Sequence, residues 1–126
     1  VPRLGSLEAE VMALLWNRDR DASAREVLTE LNRDRVGPLA YTTVQTVLQN
    51  LGRKALLERR KQGRAFHYRP TRTREQHAAD LLREVFATSD DRESVLLHFV
   101  ETMSAAEVER VRAWLDREPE PPERSR

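Results

Sequence analysis

Apolar residues recur along this chain with the spacing of helices at both ends and of strands near the middle. Leu7, Val11, Leu14 and Leu15 fall at helical spacing and Trp16 closes the run before NRDRD, which predicts a first helix over about residues 7–17. A second runs from Ala24 to about residue 33, with Val27, Leu28 and Leu31 on one face, and RDRVGP ends it through Gly37 and Pro38. In the third, Val44, Val47, Leu48 and Leu51 stand at i, i+3, i+4 and i+7. After Gly52 the period changes. ALLERRKQGRAFHYRP reads as two short strands around a turn at Lys61-Gln62-Gly63-Arg64, with Leu57 opening one arm and Phe66 and Tyr68 alternating on the other, expected to pack against the helices. Three further stripes follow: Ala78, Leu81, Leu82, Val85 and Phe86; then Val95, Leu96, Phe99, Val100 and Met103; then Val108, Val111, Trp114 and Leu115. Ser23 with Glu26, Thr73 with Gln76, Asp90 with Glu93 and Ser104 with Glu107 have capping-box spacing just before these runs. The pattern is mainly α with a small β-hairpin.

The polar positions of the third helix are unusual. About a third of the chain is charged (34%), yet no charge occurs from Val36 to Gly52. Opposite the apolar stripe lie Thr42, Thr46, Gln49 and Arg53, flanked by Thr43, Gln45 and Asn50. A solvent face is normally filled with Lys, Glu and Arg, which propagate helices better than Thr and Asn do. Gln and Asn bond bidentately to adenine, Arg to guanine, and a Thr methyl meets that of thymine. Such a face enters a DNA groove without burying unpaired charge. The structural alternative is that Thr42 and Thr43 cap the helix, and the two roles are compatible.

Charge changes the picture further, because a net charge of only +1 conceals segregation. Residues 53–74 hold nine Lys or Arg against Glu58 alone, whereas residues 84–123 hold eleven acids against four Arg. One end is drawn to a polyanion and the other repelled. A basic hairpin after three helices is the winged helix-turn-helix arrangement, in which Arg59, Arg60, Lys61 and Arg64 reach phosphates or the minor groove, with His67 and Tyr68 as additional candidates.

Residues 72–117 read as a helical dimerisation domain behind a DNA-binding domain of residues 1–71. RPTRTRE forms the joint, and a proline-rich, charged tail at 118–126 is expected to be disordered. Three short helices carry more apolar surface than they hide alone, and a piece of this size needs a metal, a disulfide or a second copy. Leu81, Leu82, Val85, Phe86, Leu96, Phe99, Val100, Val111, Trp114 and Leu115 are the candidate pairing residues; the alternative is a monomer with these helices folded back. Trp16 and Trp114 read as packing anchors.

The chain has no Cys, which excludes disulfides and thiolate chemistry, and its three His (His67, His77, His98) lack metal-site spacing. No catalytic grouping or phosphate loop is present, so no enzyme activity and no cofactor is expected. Neither a signal pattern nor a membrane-length apolar run occurs, so a cytoplasmic location is expected.

LGSLEAEVMALLW, REVLTEL, AYTTVQTVLQNLGRKALLERRKQGRAFHYRP and HFVE together resemble the penicillinase-repressor (BlaI/MecI) family over nearly the whole chain to about Asp116. The resemblance implies a cytoplasmic dimeric winged-helix repressor that binds palindromic operators with TACA/TGTA-type half-sites and silences β-lactam resistance genes. It also implies relief of repression by cleavage, driven by a membrane sensor metalloprotease, at a bond where the family has Asn–Phe. Here that position is His98-Phe99, so the Phe is kept and the Asn is not. The cysteine cluster of a related copper-responsive branch is absent. A ligand-gated winged-helix repressor and a winged helix used only for protein contact are the rival readings.

Overall fold

The computed structural model describes residues 3–117; the tail expected to be disordered lies outside them. In chain order the elements are α1 (Ser6–Trp16), β1 (Ala22–Ser23), α2 (Ala24–Asn32), α3 (Tyr41–Arg53), β2 (Leu57–Gln62), β3 (Ala65–Pro70), α4 (Arg74–Ala87), α5 (Arg92–Val100) and α6 (Ala105–Asp116). This is a mainly helical winged-helix fold with a small antiparallel sheet and C-terminal helices. The sheet has three strands in the order β1-β3-β2 rather than the two expected. Ala22 pairs with Tyr68 and Ser23 with His67. Two residues are too few to show an alternation, so β1 left no trace in the pattern.

Two compact units are present, one through Arg83 and one from Glu84. In the first, α1, α2, α3 and the sheet enclose one core of Val11, Met12, Leu15, Ala22, Ala24, Val27, Val44, Val47, Leu48, Leu51, Leu56, Leu57 and Tyr68. The stripe read on α3 is the buried face of that helix.

Three of the four capping boxes form. Ser23 Oγ accepts from the Glu26 amide at 3.1 Å while Glu26 Oε1 accepts from the Ser23 amide at 2.8 Å. Thr73 with Gln76 and Ser104 with Glu107 do the same. The fourth is shifted by one residue: Asp91, not Asp90, caps α5, its carboxylate accepting from the Ser94 amide at 3.0 Å. Asp91 directly precedes the first helical residue, Arg92, so its carboxylate and not that of Asp90 reaches the Ser94 amide.

The stretch RPTRTRE is bound to the first unit instead of forming a free joint. Thr71 donates its amide to the Leu56 carbonyl (3.1 Å) and its hydroxyl to that of Ala55 (2.9 Å). Trp16 Nε1 donates to the Arg72 carbonyl at 2.9 Å, and His77, the buried residue of α4, lies 5.3 Å from the Trp16 ring. Trp16 is thus the anchor expected of it. Trp114 is not: within the chain it is 62% exposed, and Arg117 lies over its ring.

Candidate nucleic-acid interface

The face of α3 opposite the core presents Thr42, Thr46, Gln49 and Arg53 to solvent, with Thr43 exposed and Gln45 and Asn50 half-buried on its flanks. The two threonines do not cap the helix. Ala40 is the N-cap and has no side-chain bond; its carbonyl accepts from the Thr43 and Val44 amides instead. Thr42 and Thr43 are therefore free of the capping role. The Thr46 hydroxyl donates to the Thr42 carbonyl at 2.9 Å, and the side chain is exposed with its acceptor lone pairs free of that bond. Arg53 donates to Asn50 Oδ1, so the guanidinium is held along the helix by one of the expected base readers.

In the hairpin, β2 and β3 are joined by Gly63 and Arg64 alone, a tighter turn than the four residues expected. Gly63 takes φ 64°, the positive angle a two-residue hairpin turn needs at its first position. The register separates the basic residues by face. Arg59 stands opposite Tyr68 and Lys61 opposite Phe66, on the side that continues the core. Arg60 stands opposite His67 on the other side, where Glu58 and Arg69 pair at 2.6 Å. Tyr68 is buried, which removes it as a contact residue. Phe66 reverses its expectation: it is 39% exposed and carries the Arg59 guanidinium 4.0 Å from its ring centroid, instead of packing on the helices. Arg59, Glu58, Leu57 and Tyr68 then line a cleft of roughly 400 Å³ with Leu48, Gln49, Gly52 and Arg53 of α3.

Ion pairing divides the cations of this unit into two groups. Lys54 reaches Glu8 at 2.7 Å, Arg35 reaches Glu10 at 2.6 Å, Arg72 reaches Asp80 at 2.5 Å, and Arg18 lies 3.8 Å from Glu26. Arg53, Arg59, Arg60, Lys61 and Arg64, the cations expected to meet DNA, have no carboxylate partner among the described residues. The first four tie elements together, and the five without a carboxylate partner lie on α3 and the wing. Lys54 also bonds the Arg3 carbonyl at 3.0 Å, and together with the Gly5 amide it holds the Glu8 carboxyl below its usual range.

Pattern reading missed three positioning contacts. Asn32 clamps the loop before α3, its Oδ1 accepting from the Leu39 amide (2.8 Å) and its Nδ2 donating to the Leu39 carbonyl (3.1 Å). The Arg25 guanidinium lies 4.9 Å from the Tyr41 ring centroid, joining the first turns of α2 and α3. Lys54 links the end of α3 to the start of α1. Only Asn32 had a sequence signal, a polar residue closing an apolar face before a Gly-Pro loop.

In the second unit no described residue is buried. Of the candidate pairing residues, Leu81, Leu82, Val85, Leu96, Phe99, Val100, Val111, Trp114 and Leu115 are exposed, Leu115 by 74%, and Phe86 is half-exposed. Leu97 adds to the set. His98 and Phe99 lie in the last turn of α5, with His98 3.5 Å from Glu101. Among the described residues no His, Cys, Asp or Glu cluster is placed to hold a metal ion, and no helix is long and apolar enough to cross a membrane.

The sequence profile of the penicillinase repressor matches residues 4–117. The transcriptional regulator BlaI of Mycobacterium tuberculosis is 40% identical over 116 residues, which cover 90% of this chain and 83% of that protein. The penicillinase repressor of Bacillus licheniformis is 33% identical over 70 residues, 56% of this chain and 52% of that one. The solution structure of the DNA-binding domain of the repressor BlaI superposes with a TM-score of 0.52 at 31% identity, over 59% of this chain and 87% of that domain. With its exposed polar helix, basic wing and near full-length match, the chain belongs to the penicillinase repressor family of DNA-binding transcriptional repressors.

Proposed function

We propose that the chain represses transcription as a homodimer on palindromic operators with TACA/TGTA-like half-sites. Residues 1–71 form the reading domain and residues 72–117 the pairing domain. The observation that carries this reading is an α3 surface free of charge as far as Gly52, beside five cations of α3 and the wing that no carboxylate among the described residues neutralises. Thr42, Thr46 and Gln49 on α3 meet base edges, with Thr43, Gln45, Asn50 and Arg53 beside them, while Arg59, Arg60, Lys61 and Arg64 neutralise phosphates. The exposed apolar faces of the C-terminal helices are covered by a second copy. Two-fold pairing then spaces two recognition helices by about one DNA turn, or a multiple of it.

Relief by proteolysis fits the same arrangement. Cutting between His98 and Phe99 separates Phe99, Val100 and α6 from the rest of the pairing surface. A monomer on one half-site loses an effective-concentration advantage of roughly 10² or more. The protease is a membrane sensor of the kind the family resemblance implies, and the regulated genes are those of β-lactam resistance.

The test compares Gln49→Ala with Arg64→Ala on a duplex selected by the protein from random sequence and on a scrambled one. Gln49→Ala should lower the preference for the selected duplex, whereas Arg64→Ala should weaken both equally. Sedimentation should give a dimer, and truncation after His98 a monomer of much lower affinity. A monomer with equal affinity for both duplexes would overturn the assignment.

A further inference from the structure

The geometry points to Arg25 and Tyr41 as a phosphate clamp where α2 and α3 meet: the guanidinium laid on the Tyr41 ring and the Tyr41 hydroxyl take one backbone phosphate of the bound duplex. This rests on the DNA-reading assignment of α3 and adds a contact outside both that helix face and the wing.

Arg25 is the second residue of α2 and Tyr41 the first of α3. In helix-turn-helix docking the first helix of the pair crosses the backbone as the second enters the groove, so the two N-terminal turns face one strand of phosphates. Arg25 is exposed and has no carboxylate partner among the described residues, although its neighbours do. Arg18, Arg33 and Arg35 each lie within 4 Å of a carboxylate, at 3.8, 2.6 and 2.6 Å. The adjacent Glu26 is turned away, accepting from the Ser23 amide and facing Arg18.

An exposed arginine normally loses much rotamer freedom on binding. Here the guanidinium already lies over the Tyr41 ring, 4.9 Å from its centroid, which restrains it and leaves N–H groups for a phosphate. The Tyr41 hydroxyl has no hydrogen-bond partner among the described residues, and phosphate oxygens accept from Tyr as well as from Arg. The start of α3 favours an anion too: its N-cap is Ala40, without a side-chain bond, and no acid stands in its first turn.

The experiment measures affinity of the full chain for the selected and the scrambled duplex between 50 and 200 mM salt. Arg25→Ala should weaken both by the same factor and lower the salt slope of the dimer by about 1.8, 0.9 for each of its two copies, so the fourfold rise in salt costs about 12-fold less affinity than in the parent. Arg25→Lys should restore the slope. Tyr41→Leu should cost roughly two- to fivefold per protomer in the parent and only the hydroxyl's share in the Arg25→Ala background; Tyr41→Phe keeps the ring and should lose that share alone. Arg25 is exposed and Tyr41 partly so, and loss of the contact between them should lower the melting temperature by no more than a few degrees. An unchanged slope in Arg25→Ala while Arg64→Ala lowers it would overturn the clamp and leave the α3 reading standing, as would equal Tyr41→Leu losses in both backgrounds. If Arg64→Ala and Gln49→Ala were silent as well, the reading of α3 and the wing would fail with it.

Discussion

Replacing Ala55 by glycine should stabilise this protein. Ala55 follows the C-cap of α3 with φ 63°, in the left-handed region, and is the one non-glycine residue there among those described. The hydrogen bonds show why the chain is held in that shape. The Leu56 amide donates to the Leu51 carbonyl and the Ala55 amide to the Gly52 carbonyl, both at 3.0 Å, the paired closing bonds of a Schellman motif. Leu56 and Leu51 are both buried, so the apolar contact that accompanies the motif is part of the core. The left-handed conformation costs an L-residue roughly 1–2 kcal/mol, and the greater freedom of glycine in the unfolded chain offsets about 0.4–1 kcal/mol of the relief. A net gain of about 0.5–1 kcal/mol remains, which for a unit of this size is a rise of roughly 2–8 °C in melting temperature. Thermal unfolding at one fixed protein concentration measures it, since subunit pairing makes the midpoint concentration-dependent. Ala55→Val should move the other way, because branching at Cβ worsens the same clash. If Ala55→Gly melted at or below the parent temperature, the strain assigned to this position would not exist.

Two further changes probe the contacts that position α3. Asn32→Ala removes both bonds to Leu39 and should cost roughly 1–2 kcal/mol; denaturant unfolding and faster amide exchange at Leu39 check it, and unchanged exchange would show that the clamp does not hold the loop. For Glu8, the folded-state pKa lies below the usual value of 4.5 because of the Lys54 bond first and the Gly5 amide second. Its contribution is therefore full above the unfolded value and is lost as pH falls through the depressed one. In Lys54→Met the Glu8 titration followed by NMR should move upward and the acid loss of stability should become shallower; an unmoved titration would show that the pair is absent in solution.

The helices were legible because the apolar periods of α1, α2 and α3 agree with capping chemistry, and Ser23 and Glu26 alone locate the start of α2 to the residue. The end of α3 was less so. Gly52 invites a stop, yet it lies inside the helix, and the left-handed residue that terminates it is Ala55, a type that gives no signal of a positive φ. On the wing, ERRKQ announces its charge but not its faces. Those follow only once Leu57 and Tyr68 are known to point inward, since a period of two then sends Arg59 and Lys61 one way and Arg60 the other. Arg25 stood sixteen positions from Tyr41 in sequence, and no pattern relates them. The apolar C-terminal stripes find no cover among the described residues. That they would remain exposed in a single chain followed from their number, and Trp114 shows the limit of treating every aromatic on a stripe as an anchor within its own chain.

Near-neutral total charge is a poor guide to what this molecule attracts, because acids and bases here do separate jobs. Glu8, Glu10, Glu58 and Asp80 each hold a cation that joins two parts of the winged unit, and such short contacts, several of them partly shielded, resist screening better than charges far apart in water. The cations left over on α3 and the wing gain nothing from those acids and depend for neutralisation on an external polyanion. Salt should therefore act on the two groups unequally. Between 50 and 200 mM it should release a bound duplex by orders of magnitude while leaving the melting temperature of the free protein almost unmoved. The division also makes a charge reversal at Glu8 a fold-destabilising change and one at Arg64 a binding change, even though both alter net charge by the same two units. The partner each residue holds in the folded chain decides which.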